Sequence, residues 1–308
     1  MRGRTATTLV VVTLVISACS PNVRDTPPAN TASPSPLSSA PATSPTRAPV
    51  TPPAGTAPAA TFPIRERTVR FSRGTDRPLA TTVWYPDAPG PFPLVLFSHG
   101  LTSEPSAYAA LLTAWARAGF VVAAPAYPHT SHDAADYDAV DVVNQPVDAA
   151  YVITRMIALN AAASDPLAGR INTARIAAAG HSAGGITTIG MFSGNRDDRL
   201  VAGIVLAGRQ VFAVPFAGPP APLLFVHGKL DKTVPYADGL AAYRTVPWSR
   251  AMMAVTEGGH VAITKDFGPV IATTTDFLRW SLYGDAAARG RLRADATASG
   301  AATWTDDL

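Results

Sequence analysis

The chain reads as an α/β protein built on a mostly parallel central sheet flanked by helices, and three observations carry that reading. Short apolar runs alternate with stretches of helical spacing from about residue 62 to residue 284, the pattern of βαβ units in which strands are buried and helices bury one face. The run Pro93-Leu94-Val95-Leu96-Phe97 is continuously apolar, as a strand covered on both faces has to be. Gly180-His181-Ser182-Ala183-Gly184 stands between a β-like run, Arg175 to Ala179, and a helix start made of small residues. Strand, sharp turn and helix in that order put a serine hydroxyl clear of the backbone, with the amides of the next helix beside it.

Taken in order, Glu66 to Arg73 and Leu79 to Tyr85 read as two early strands, and the apolar third strand ends at Ser98-His99-Gly100. Ser103 and Glu104-Pro105 open a helix whose apolar spacing, Tyr108, Leu111, Leu112 and Trp115, carries it to Gly119. Strand Phe120 to Ala126 completes a βαβ unit, and Asn144-Gln145-Pro146 opens a second helix to about Asn160. Then come strand Arg175 to Ala179, helix Ala183 to Phe192 and strand Val201 to Ala207. Leu223 to Val226 and Ala251 to Val255 are the last strands, with a helix over about Tyr236 to Tyr243 between them and an amphipathic helix, about Pro269 to Tyr283, after them. Only a short Gly- and Pro-containing segment separates Ala207 from Leu223, so the lid is minimal and the cleft open. Phe212, Phe216 and Trp248 are candidates for its wall, although a core role is the more common fate of such aromatics.

The ends do not share this patterning. Met1-Arg2-Gly3-Arg4, the apolar run Leu9 to Ile16 and Ser17-Ala18-Cys19 form a short leader, residues 1–18, that reads as a secretory signal. Ile16-Ser17-Ala18-Cys19 resembles a bacterial lipobox, in which Cys19 would carry the lipid and begin the mature chain; an ordinary signal peptide is the alternative. Residues 19–61 are nearly all Pro, Ala, Ser and Thr, a disordered tether able to reach on the order of 100 Å. Residues 285–308, Ala- and Arg-rich, read as a frayed helix or tail. The expected location is therefore extracytoplasmic, lipid-anchored to the cell membrane, with the patterned domain spanning 62–284.

Composition excludes several classes. Cys19 is the only cysteine, so the domain has no internal disulfide, thiol nucleophile or cysteine metal site. Without Arg2 and Arg4 the chain carries 23 basic against 22 acidic residues, a net +1 that gives no footprint for nucleic acid.

The ordered middle of the chain resembles the α/β hydrolase fold. The residues that carry the likeness are Ser98-His99-Gly100-Leu101, Gly119-Phe120-Val121-Val122, the stretch from Ile171 through Gly180-His181-Ser182-Ala183-Gly184-Gly185, and His227-Gly228-Lys229-Leu230-Asp231 through Pro235. Within that fold it is similar to dienelactone hydrolase-like proteins, platelet-activating-factor acetylhydrolase-like proteins and cutinase-type polyester hydrolases. The resemblance implies a serine, an acid and a histidine in that chain order.

A serine hydroxyl needs a base within hydrogen-bond reach, and the base needs an acceptor that fixes its tautomer. Ser182 is the candidate nucleophile, Asp231, after the strand Leu223 to Val226, the acid, and His260, after the last strand, the base; Asp238 and Asp266 are the alternative acids. The backbone amides of Leu101 and Ala183 are the expected oxyanion donors. Leu101, His129 and His181 are the expected substrate contacts, while His99 and His227 read as hydrogen-bonders within their turns. His129-Thr130-Ser131-His132-Asp133 could wall the pocket, hold a cation or form a solvated loop, but further ligands would be needed for a metal, so none is assigned.

These readings point to an extracytoplasmic serine hydrolase of carboxylic esters, acting without a cofactor on a small-molecule or polymeric ester, as a monomer. Peptide hydrolysis or acyl transfer on the same fold, and a non-catalytic surface-binding lipoprotein, are the alternatives.

Overall fold

The computed structural model describes residues 48–52, 54–211, 213–261, 267–298 and 300–308. The expected leader, Cys19 and most of the tether lie outside the described residues, as do Phe212 and Asp266.

Nine strands run through the described chain: β1 (Ile64–Arg73), β2 (Arg77–Pro86), β3 (Phe92–Ser98), β4 (Val121–Pro125), β5 (Ile171–His181), β6 (Leu200–Leu206), β7 (Leu223–Gly228), β8 (Arg250–Val255) and β9 (Ala302–Asp306). They form one sheet in the order β1-β2-β4-β3-β5-β6-β7-β8-β9. From β4 to β8 every pairing is parallel, while β1, β2 and β9 add antiparallel edges. The helices are α1 (Ala109–Arg117), α2 (Gln145–Ala161), α3 (Ala183–Met191), α4 (Tyr236–Thr245), α5 (Gly268–Leu278) and α6 (Ala286–Thr297). The period of two in β3 divides the core: Val95 and Phe97 join a cluster with Trp115 and Phe277, whereas Leu94 and Leu96 join one with Met156 and Phe192. Both faces of β3, β4, β7 and β8 are buried throughout, which is why these strands read as unbroken apolar runs rather than alternating ones.

Both ends of the expected domain need correction. Residues 285–308 are not a frayed tail. Asp285 caps α6 by accepting from the amides of Ala287 and Ala288, and Ala288, Leu292 and Ala296, spaced one turn apart, are buried. Strand β9 then pairs along β8 from Ala302 to Asp306, with Trp304 buried. The physical cause is the edge of β8, a strand buried on both faces whose outer amides and carbonyls would otherwise lack partners. At the other end the fold takes in residues before 62: the Val50 amide donates to Ser249 Oγ (3.0 Å), Ala57 is buried, and Arg279 donates to the Pro58 carbonyl (2.9 Å).

Phe216 and Trp248 take the more common core role rather than forming a cleft wall. Both are buried, edge to face at 6.0 Å, in the core cluster that holds Phe225 and Met252. Among the described residues the segment between β6 and β7 carries no helix, and beside α3 lies an apolar groove lined by Val142, Val143, Ile186, Ile189, Val211 and Val214.

Candidate active site

Strand β5 passes through Gly180 and His181 into Ser182, the N-cap of α3, at φ 57° and ψ −117°. That backbone conformation is strained for a residue with a side chain, and it is held by close packing on both sides. A Cβ on Gly184 would run into the backbone of Ser98, and one on Gly180 into the backbone of Gly184. The Ser182 amide donates to the Leu206 carbonyl at the end of β6 (2.9 Å), which ties the elbow to the neighbouring strand.

His260 follows β8 and meets the elbow from the other side: its Nε2 lies 2.8 Å from Ser182 Oγ, and its Nδ1 lies 2.7 Å from Asp231 Oδ2. The second oxygen, Asp231 Oδ1, accepts from the amides of Thr233 (2.8 Å) and Val234 (2.9 Å). Those two bonds, made within the turn after β7, orient the carboxylate so that its free edge faces the imidazole. The side chain of Asp231 is fully buried. Asp238, an alternative acid, is instead half-buried on α4 and pairs with Arg209 at 3.5 Å.

The Ser98-His99-Gly100 turn lies directly against the elbow, since a Cβ on Gly100 would fall 3.2 Å from Ser182 Cβ. The next residue, Leu101, is exposed, and among the described residues its amide has no acceptor. Ala183 opens α3, where the first amides have no intrahelical partner. These are the two donors expected at an oxyanion. The loop carrying Leu101 is fastened by the Thr102 amide to the Thr130 carbonyl (2.8 Å) and by the His132 amide to the Ser103 carbonyl (2.9 Å). Gln145 braces the same region, donating to Thr130 Oγ1 and accepting from Thr187 Oγ1 of α3, each at 2.6 Å.

One expected substrate contact is placed differently. His181 is buried, with Nδ1 2.9 Å from the Tyr108 hydroxyl and Nε2 2.9 Å from the His260 carbonyl. Both of its nitrogens are taken by protein groups, so the ring has no polar atom left for a substrate. His129 donates from Nδ1 to the Asp136 carbonyl (3.1 Å) within its own loop, and among the described residues no hydrogen bond joins its ring to Ser182, His260 or Leu101. Tyr108, which sequence spacing marks only as a helix-core position, was missed as a site residue; no local signal distinguishes it.

Burial pushes the pKa of His99 and of His181 down to about 4, and lowers that of His227 as well. His99 donates from Nδ1 to the Gly100 carbonyl (2.7 Å) and accepts the Tyr127 amide at Nε2 (3.1 Å); His227 donates to the Val234 carbonyl (2.9 Å). His132 is exposed, and among the described residues no group of three or more His, Cys, Asp or Glu could hold a metal ion.

A serine, a histidine and an aspartate in hydrogen-bonded series can move the serine proton onto the imidazole while a carboxylate holds the ring. With the serine at a strand-to-helix elbow and all three groups at the carboxyl edge of a mostly parallel sheet, the fold and site define an α/β hydrolase. A match to the Chlorophyllase family covers residues 54–207, half of the 308-residue chain, and the chain belongs to that family of α/β hydrolases acting on esters. The matched stretch contains the Ser98-His99-Gly100 turn and the Ser182 elbow and stops before β7. No curated protein shows a significant match to the chain.

Proposed function

We propose that the chain is a serine-dependent carboxylic ester hydrolase that forms an acyl-enzyme on Ser182 and acts outside the cytoplasm, tethered by lipid on Cys19. The observation that supports the chemistry is the series Ser182 Oγ, His260 Nε2, His260 Nδ1 and Asp231 Oδ2, joined at 2.8 and 2.7 Å. Ser182 Oγ attacks the ester carbon as its proton passes to His260 Nε2, and the resulting oxyanion is met by the amides of Leu101 and Ala183. The alcohol leaves with the proton from His260. Water then attacks the acyl-enzyme, again losing a proton to His260, and the acid departs as Ser182 recovers its hydrogen. Asp231 accepts from Nδ1 and holds the Nδ1–H tautomer. The exposed apolar side chains of Leu101 and Val261, next to an oxyanion donor and to the base, suit an ester with an apolar part.

Hydrolysis of p-nitrophenyl acetate, butyrate and octanoate, with Ser182→Ala alongside, tests the reading. Activity that collapses in the variant is expected; a folded parent inactive on all three esters would overturn it. The anchor rests on the leader pattern before Cys19. Among the described residues no helix is long and apolar enough to cross a membrane. Cys19→Ala should release the protein from the membrane with export retained.

A further inference from the structure

The elbow histidine sits between two parts of the site. The Gly100 amide donates to the Tyr108 hydroxyl (3.0 Å), that hydroxyl lies 2.9 Å from His181 Nδ1, and His181 Nε2 lies 2.9 Å from the carbonyl of His260. Every proton in this series has one allowed place. A carbonyl only accepts, so His181 Nε2 carries hydrogen and donates to His260. Burial keeps the ring neutral at neutral pH, so Nδ1 is bare and takes the Tyr108 proton. The phenol oxygen in turn accepts from Gly100. The line therefore runs in one direction, each bond polarising the next, inside the core.

Its two ends are functional. Gly100 precedes Leu101, whose amide is an oxyanion donor in the reading above, and His260 is its base. The His181 and His260 rings also lie 4.8 Å apart, inclined at 44°. A neutral His181 places no second positive charge against the imidazolium that forms on His260 during turnover.

We propose that Tyr108 and His181 are positioning residues that lock the oxyanion loop and the His260 loop into one geometry around Ser182. The proposal rests on the serine hydrolase reading for its effect on rate, although the geometry itself is open to a separate measurement. Neither residue touches substrate; each acts through the group it holds.

The test uses the full chain with His181→Phe, which keeps the ring volume, Tyr108→Phe, which removes one hydroxyl, and His181→Gln, whose amide can donate to the His260 carbonyl. Four quantities are read: kcat and KM on p-nitrophenyl acetate, the rate of fluorophosphonate labelling of Ser182, and the low-field proton resonance of His260 Nδ1–H. Misplacement of catalytic groups should lower kcat and the labelling rate by about 10²-fold in both phenylalanine variants, with KM little changed. The resonance should shift or broaden in both, and His181→Gln should fall between His181→Phe and the parent. A merely structural role would lower the unfolding midpoint and leave kcat and the resonance alone, and that result in folded variants overturns the proposal. Should His181→Phe fail to fold, Tyr108→Phe decides. If the parent neither hydrolyses esters nor labels, the serine hydrolase reading has failed, and the resonance in Tyr108→Phe still decides the geometry: changed, the lock stands; unchanged, it falls.

Discussion

Arg77 offers the most direct test of how the scaffold holds the site. Its Nη1 and Nη2 donate to the two oxygens of Asp141 at 2.9 and 2.7 Å, while Nε and Nη2 also donate to Asp148 at distances between 2.5 and 3.1 Å. The Asp148 side chain is fully buried in the first turn of α2, and Arg73 supplies it with one further bond at 2.6 Å. Arg77→Met keeps most of the length of the side chain and removes the charge, leaving Asp141 with Asn144 Nδ2 (2.7 Å) and Asp148 with Arg73 alone. Breaking a buried ion pair by removing one partner costs about 3–5 kcal/mol, because the other charge stays desolvated. Arg73 remains on Asp148, so the lower end, about 3 kcal/mol, is the expected loss in urea unfolding. Arg77→Lys should recover only part of it, since an ammonium cannot fork between two carboxylates. The same cluster seats the start of α2, where Gln145 links Thr130 to Thr187. Esterase activity should therefore decline with increasing urea earlier in Arg77→Met than in the parent. A loss below about 1 kcal/mol in Arg77→Met would refute the reasoning, since it would put this cluster in the range of an exposed pair.

Four further outcomes follow from the geometry. Gly184→Ala should give no soluble folded protein, because its methyl group would occupy the Ser98 carbonyl; normal yield and an unchanged unfolding midpoint would contradict this. Asp231→Asn should keep the fold and lower kcat by about 10⁴-fold, as a displaced tautomer does elsewhere, measured on p-nitrophenyl acetate. His99 and His181, with pKa values held at about 4 against an ordinary 6.5, bind fewer protons folded than unfolded between those values. Stability is thus full above pH 6.5 and falls as pH drops towards 4, by about 3 kcal/mol per histidine; urea titrations across that range should show the slope, and His181→Phe should reduce it. Truncation after Gly284 should expose the β8 edge and the surface left by Trp304, giving an aggregating protein by size-exclusion chromatography.

Much of the site was legible because its chemistry lies at strand ends. β5, β7 and β8 share one parallel edge, so residues just past each strand converge, and the candidates Ser182, Asp231 and His260 could be named from strand position together with the serine, acid, histidine order that the resemblance implies. What escaped notice lacks a local signature. Tyr108 lies 73 residues from His181 in the chain and reads as one more apolar position in a helix. The end of the fold escaped for a related reason: α6 buries mostly alanine, which leaves a weak pattern, and β9 is needed only once β8 stands at an edge.

The sequence by itself determined the parallel α/β architecture, the serine elbow and the order of the three candidate catalytic groups. Apolar periodicity and a glycine-flanked serine between a strand and a helix are properties of short segments, and a short segment shows them unaided. Only the tertiary structure decided that His181 is buried with both ring nitrogens bonded to protein groups, that Phe216 and Trp248 sit in the core and not on a cleft wall, and that both flanks of the expected domain are part of the fold. Those outcomes depend on which distant group fills a buried hydrogen bond or an open strand edge, and no segment carries that information alone.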